Sequence, residues 1–132
     1  MIEIPRAVRE EIVKHCKAKY PEEACGFLAG KNGRAASFVP IENTDHSTVS
    51  YRMDPKQQMR AFDGMNKEKT ELVGIVHSHV ASPATPSQKD RSLAYYPEVS
   101  YVIVSLADMK NPDLRSFRIA DGKDSPEEVK VT

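Results

Sequence analysis

An α/β domain with a mixed β-sheet flanked by helices is the fold class this sequence predicts, and three patterns carry that expectation. Val8, Ile12, Cys16 and Tyr20 recur at four-residue intervals with Val13 beside them, which makes one apolar stripe of a helix. Leu72-Val-Gly-Ile-Val76 and Tyr101-Val-Ile-Val104 are unbroken apolar runs of strand length, as expected of strands covered on both faces. Lys31-Asn-Gly33 is a turn sequence between two short apolar stretches, Ala24 to Ala29 and Ala35 to Val39, and the three together read as a hairpin.

The remaining elements follow in chain order. Met1 to Ile4 reads as a short strand, and the helix from Arg6 to Tyr20 is ended by Pro21. Gly26 and Gly30 mark close backbone approaches within the hairpin. After a polar loop, Asp54-Pro55-Lys-Gln57 offers an N-cap, a proline at the first helical position and a capping-box glutamine, so a second helix should run to about Lys67. Leu72 to Val76 leads into His77, a short helix begins near Ser87, and Tyr101 to Val104 forms another buried strand. Ser116 to Ile119 and Glu128 to Val131 supply weaker edge strands. No repeat, low-complexity tract or linker interrupts the sequence, so residues 1–132 are expected to form a single domain, long enough to bury roughly two thirds of the unfolded surface.

Composition narrows the function. Nineteen Lys and Arg balance nineteen Asp and Glu, so no bulk charge favours nucleic acid or an anionic membrane. The N-terminus lacks the layout of a secretory signal and no apolar run approaches a membrane span, which leads to the expectation of a cytoplasmic protein. Cys16 and Cys25 are too few for a disulfide framework or a Cys-x-x-Cys zinc site and read as reduced thiols.

The chemistry concentrates between His77 and Asp90. Only two other histidines exist, His15 and His46, and a His-x-His pair on a strand offers lone pairs from one face. Such a pair is equally compatible with half-buried structural histidines. Ser87-x-x-Asp90 fits a helix N-cap with an acid in the first turn, and that reading is compatible with Asp90 reaching back toward the strand end. Catalytic zinc takes three protein ligands and keeps one position for water, so His77, His79 and Asp90 are the candidate ligand set. Zinc-bound water ionises near pH 7, and a non-ligating carboxylate is then needed to move its proton. Glu23, in Pro21-Glu-Glu23-Ala-Cys-Gly26, qualifies, although adjacent acids are commonly solvated.

The order Pro-x-Glu-x-Cys-Gly, helix, apolar strand, then His-Ser-His-x7-Ser-x2-Asp resembles the JAMM (MPN+, Mov34) zinc metallopeptidases over nearly the whole chain. The resemblance implies a cytidine-deaminase-like MPN fold, zinc on His77, His79 and Asp90, Glu23 as acid and base, and Ser87 as a donor to the developing oxyanion. Glu22 is set aside because the family's proline lies two residues before its glutamate. Many members carry proline after the second histidine where this chain has Val80, a change expected to alter loop stiffness and substrate contacts rather than ligation.

Other metal centres fit less well. An iron facial triad usually spreads His-x-Asp and a distant histidine over a β-helix, a zinc deaminase needs Pro-Cys-x-x-Cys, and a His-Glu-x-x-His motif is absent. The competitor from another class is a metal-free MPN scaffold, which zinc content would separate from an enzyme. The resemblance, to the prokaryotic stand-alone branch, implies amide hydrolysis after the C-terminal glycine of a ubiquitin-like or sulfur carrier protein with a Gly-Gly end. The adduct removed is an amino acid or a linked protein. Thr44 to Met53 is the expected flexible flank of the tail groove, with Tyr51 and Arg52 as contacts. Monomer and homodimer both remain open.

Overall fold

Strand pairing rather than helix packing builds this molecule: residues 1–132 of the computed structural model describe one eight-stranded sheet with three helices. The order is β1 (Ile2–Ile4), α1 (Arg6–Lys19), β2 (Cys25–Lys31), β3 (Arg34–Ile41), α2 (Pro55–Glu68) and β4 (Glu71–His79). Then come α3 (Gln88–Ser92), β5 (Ser100–Ser105), β6 (Asp113–Ala120), β7 (Lys123–Glu127) and β8 (Val129–Val131). Spatially the strands run β7-β6-β5-β4-β2-β3-β1-β8. The sheet is mixed, with β4 parallel to β5, β1 parallel to both β3 and β8, and the other pairs antiparallel.

Side-chain alternation divides the core between two faces. Val8, Ile12 and Cys16 of α1 pack on Leu28, Val76, Val102 and Val104. Their neighbours Phe27, Ile75, Tyr101 and Ile103 point the other way, toward Ala61 and Met65 of α2. Both faces of β4 and β5 are therefore covered, which is why those segments are apolar without alternation. Burying each such aliphatic side chain contributes about 2 kcal/mol.

The two margins of the sheet, β7 and β8, are separated in sequence by Glu128 alone, so the sheet curls until its ends meet. The seam is closed by polar bonds. Ile2 N–H donates to Glu128 O at 3.0 Å, and the Met1 ammonium lies 3.3 Å from Glu127 Oε2. Ser116 Oγ and Arg118 Nε also donate to the Glu127 carboxylate, at 2.6 and 3.1 Å.

Several expectations are met and some are corrected. Asn32-Gly33 makes the hairpin turn, both residues at positive φ (51° and 72°). A Cβ at Gly26 would lie 2.6 Å from the Phe38 ring, and one at Gly30 would strike Arg34 O, so both are close approaches. Asp54 caps α2 through Gln57 N–H at 2.9 Å, but the reciprocal half of the expected capping box is missing. Gln57 Oε1 instead accepts from Glu42 N–H at 2.7 Å, while Asp54 N–H donates to Glu42 O, so the helix start is tied to the end of β3. Strand β7 is not anticipated by the apolar pattern: Lys-Asp-Ser-Pro-Glu carries no core residue and includes Pro126, tolerable because it lies at the sheet margin. Its turn, Asp121-Gly122 with φ of 53° and 71°, is nevertheless a strong hairpin signal. Both cysteines are free and buried, and no helix is long and apolar enough to cross a membrane.

Candidate metal centre

Two donors stand on a strand and the third arrives on a short helix. Strand β4 extends through both histidines, which pair across from Ile103 and Ser105 of β5 and are 1% and 5% exposed. The chain then turns through a polar segment held at several points. His79 Nδ1 meets Pro83 O at 2.8 Å, Ser105 Oγ donates to Ser82 O at 2.7 Å, and Arg91 Nη1 donates to Pro86 O at 3.0 Å. Helix α3 begins with Ser87 as its N-cap. Ser87 Oγ accepts from Asp90 N–H at 3.0 Å and Asp90 Oδ2 accepts from Ser87 N–H at 2.9 Å, a complete capping box.

That same Asp90 oxygen faces the histidines. Asp90 Oδ2 lies 3.0 Å from His79 Nε2 and 3.2 Å from His77 Nε2, and the two Nε2 atoms are 3.2 Å apart. With Nδ1–H of His79 donating to Pro83 O, its neutral ring presents a lone pair at Nε2. Three electron-rich atoms thus converge on one point, an arrangement that repels itself unless a proton or a cation sits among them. Ligands about 2.0–2.1 Å from a tetrahedral ion stand roughly 3.3 Å from each other, close to the separations here, and two imidazoles with one carboxylate are a donor set suited to zinc. His77, His79 and Asp90 therefore fit a metal ion. The second His77 nitrogen, Nδ1, is buried and has no hydrogen-bond partner. Tyr51 stacks on the His77 ring, with centroids 4.6 Å apart and planes inclined by 25°.

Electrostatics follow from this packing. Burial holds His77 below the ordinary imidazole range. Burial also pulls on His79, but its bonds to Asp90 and Pro83 outweigh it and leave that pKa raised. For Asp90, burial pushes upward, and hydrogen bonds from the two histidines in the states where Nε2 carries a proton prevail and hold it well below the usual carboxylate range.

Glu23 is brought to the same face by the loop before β2. Its backbone is pinned from both sides: N–H donates to Ser47 O at 2.8 Å, and the carbonyl accepts from Asn43 Nδ2 at 2.9 Å. The next residue is tied to the metal strand, because Ala24 N–H donates to Ser78 Oγ at 2.8 Å and Ser78 N–H donates to Ala24 O at 3.0 Å. Ser78, between the histidines, points to the opposite face and clamps the loop that carries Glu23. Sequence reading misses Ser78 and Asn43, since neither is a chemical group of the reaction. The Glu23 side chain is buried, and burial pushes its pKa up to about 7 against the lowering influence of His79 and Lys89. Glu22 turns outward and meets His46 Nδ1 at 2.8 Å. Cys25 is a packed thiol, with Sγ 3.3 Å from Ile41 O and its pKa pushed by burial to about 12.

The segment expected to be flexible is instead knotted around Asn43. Asn43 Oδ1 accepts from Asp45 and Arg52 N–H, its amide reaches Ser50 O, and Thr44 N–H donates to Arg52 O. Tyr51 is thereby held against His77, while Arg52 is exposed. Both line a cavity of about 320 Å³ that reaches Asp90 and is walled by Leu93, Tyr95 and Tyr101.

A sheet that gathers three possible metal donors near a buried acid whose pKa is raised has the make-up of a hydrolase site. Over residues 5–120 the sequence matches the prokaryotic homologs of the JAB domain, and the chain belongs to that family. It is similar to the CysO-cysteine peptidase of Mycobacterium tuberculosis, at 39% identity over 122 residues covering 91% of this chain and 84% of that protein. It also resembles a Thermus thermophilus protein described as a "probable TtuB-protein conjugate cleaving protease", at 30% identity over 122 residues, 92% of this chain and 78% of the other. The solution structure of protein DSY2949 from Desulfitobacterium hafniense superposes with a TM-score of 0.92 at 36% identity, covering 100% of this chain and 93% of that one. These likenesses assign the chain to the hydrolases, as a peptidase.

Proposed function

We propose that this protein is a zinc peptidase that hydrolyses the amide bond after the terminal glycine of a ubiquitin-like or sulfur carrier protein, releasing an amino acid or protein adduct. The observation that carries the reading is the convergence of His77, His79 and Asp90 at 3.0–3.2 Å beside a buried Glu23 poised near neutrality. His77 and His79 through Nε2, and Asp90 through Oδ2, would hold the ion. When bound, zinc supplies Lewis acidity toward the scissile carbonyl and a water that ionises near pH 7.

The chain's own residues do the rest. Glu23, with a pKa of about 7, is suited to take a proton from the attacking water and return it to the leaving nitrogen. Ser87 Oγ accepts the Asp90 N–H and keeps its own proton free, so the hydroxyl can donate to the carbonyl oxygen as negative charge develops there. The bond between His79 Nδ1 and Pro83 O fixes the tautomer that leaves Nε2 available. Tyr51 and Arg52 contact the carrier tail in the cavity beside Asp90, and a Gly-Gly end suits that passage because glycine lets backbone approach closely.

The substrate class rests on the two enzyme relatives, one named for a carrier–cysteine adduct and one for protein conjugates. Zinc-loaded protein should cleave Gly-Gly-ending carriers that bear such adducts, with product mass read by spectrometry. Glu23→Gln should retain zinc and lose turnover by at least about a hundredfold. Undiminished turnover in Glu23→Gln would remove the assigned base, and protein that refuses added zinc would remove the metal reading.

A further inference from the structure

We propose that Tyr51 is a positioning residue for the metal, its ring standing in for the hydrogen bond that His77 lacks on its far nitrogen. The assignment rests on the metal reading above and concerns how tightly the ion is held. The two histidines are braced differently. His79 has its Nδ1 bonded to Pro83 O at 2.8 Å, which fixes both ring plane and tautomer. His77 Nδ1 is buried and has no hydrogen-bond partner, so no bond on that side sets its ring. What lies on the ring is Tyr51, stacked with centroids 4.6 Å apart and planes inclined by 25°.

Strand β4 fixes where the His77 backbone lies, in register with Cys25 of β2 and Ile103 of β5, but not the rotation of the side chain. A flat face pressed on the imidazole confines Nε2 to one plane. In that plane Nε2 meets Asp90 Oδ2 and His79 Nε2, each at 3.2 Å. Tyr51 can brace the ring because its own loop is closed on either side of it. Asn43 Oδ1 accepts from Arg52 N–H and Asn43 Nδ2 donates to Ser50 O, both at 3.0 Å. The stack also responds to the charge of the ion. An imidazole that shares its Nε2 lone pair with a cation becomes electron-poor, and the negative face of a phenol ring attracts it more strongly than a neutral imidazole. The contact is therefore stronger with the ion bound than without it, and that difference is what raises affinity. Tyr51 also lines the cavity that reaches Asp90, so a single side chain joins that cavity to the metal.

The test measures zinc affinity in substrate-free protein by competition with a chromogenic chelator, well below the unfolding midpoint. Tyr51→Leu removes the flat face and should weaken zinc binding about tenfold, the lower end of what losing the outer partner of a ligand costs. Tyr51→Met, which fills more of the space without a ring, should do the same, and the rise in Tm on adding zinc should shrink in both. If the leucine variant is unfolded, the methionine variant decides. Tyr51→Phe keeps the face, drops the hydroxyl and should restore wild-type affinity for zinc, a rescue that space-filling alone would not grant to Phe over Met. Folded Leu or Met variants that hold zinc as tightly as wild type overturn the role of Tyr51 and leave the metal reading intact. A loss in Tyr51→Phe as large as in Tyr51→Leu overturns the stack. Wild-type protein that takes up no zinc overturns the metal reading and this assignment with it.

Discussion

Replacing Ser78 by alanine probes the clamp between the metal strand and the Glu23 loop without touching a reacting group. Ser78 is fully buried and its Oγ accepts the Ala24 N–H at 2.8 Å. Alanine at this position leaves a buried N–H unpaired, which costs about 1–3 kcal/mol. For a domain of this size, a loss of about 2 kcal/mol lowers Tm by roughly 6–10 °C. Ala24 follows Glu23 directly, so freeing its N–H loosens the carboxyl relative to His79, and a displacement of about 1 Å costs about a hundredfold in kcat. Thermal unfolding should therefore show the lower Tm. Well below the midpoint, turnover should fall while zinc content stays at one per chain, because His77 and His79 remain on their strand. Unchanged kcat in a destabilised variant would refute the clamp as a positioning device, and unchanged Tm would refute the bond itself.

The remaining predictions concern the ligands, the cap and the seam. Asp90→Ala or His77→Ala should abolish zinc retention through dialysis, measured by metal analysis, together with activity. Ser87→Ala should keep zinc but lower kcat by about a hundredfold as an oxyanion donor is lost, and should cost about 1 kcal/mol as the cap of α3 is lost, so unfolding is measured beside rates. At the seam, burial raises the Glu127 pKa, but hydrogen bonds from Ser100, Ser116 and Arg118 prevail and hold it below the ordinary range. A depressed carboxyl stabilises the fold above its unfolded pKa and loses that contribution as pH falls through the folded one. Glu127→Gln should therefore be less stable than wild type at pH 7, by about 2 kcal/mol, with the difference shrinking as pH falls through the acid range. A gap independent of pH in chemical denaturation would contradict the assignment.

What the sequence made legible was local. The stripe Val8, Ile12, Cys16 and the apolar runs that hold Val76, Val102 and Val104 report burial on a face that periodicity encodes directly. Ile103, between two of those valines, serves the opposite face toward α2, so the unbroken run itself announced a strand covered on both sides. The hairpin turn at Asn32-Gly33 was equally readable, because positive φ at two successive residues demands such a pair. Strand β7 was not, since Lys123 to Glu127 carries polar residues and owes its conformation to pairing with β6 rather than to its own side chains. The site divides in the same way. Spacing identifies His77, His79, Ser87 and Asp90 as candidates, whereas the placement of the Glu23 backbone depends on Ser78, Asn43 and Ser47, which pin Glu23 and Ala24 from 20 or more residues away. Tyr51, read as part of a loose flank, is fixed on His77 because Asn43 ties the loop across its base, and no local pattern reports such a closure.

The sequence makes a helix cap and a place in the site compatible roles for Ser87 and Asp90, and the geometry has one Asp90 oxygen accept from the Ser87 N–H while facing both histidines. Helix α3 has five residues and none of them is buried, so neither helical propagation nor packing can hold it in place. Its position comes from its approach, where Ala84 and Pro86 are buried, and from polar ties: the capping box at its start, Arg91 to Pro86 O, and His79 to Pro83 O. The bond that turns Asp90 Oδ2 back toward Ser87 N–H is the same one that aims this oxygen at the two histidines. A stiff central strand thus presents two of the converging atoms, and a segment anchored by the buried Ala84 and Pro86 as well as by hydrogen bonds presents the third.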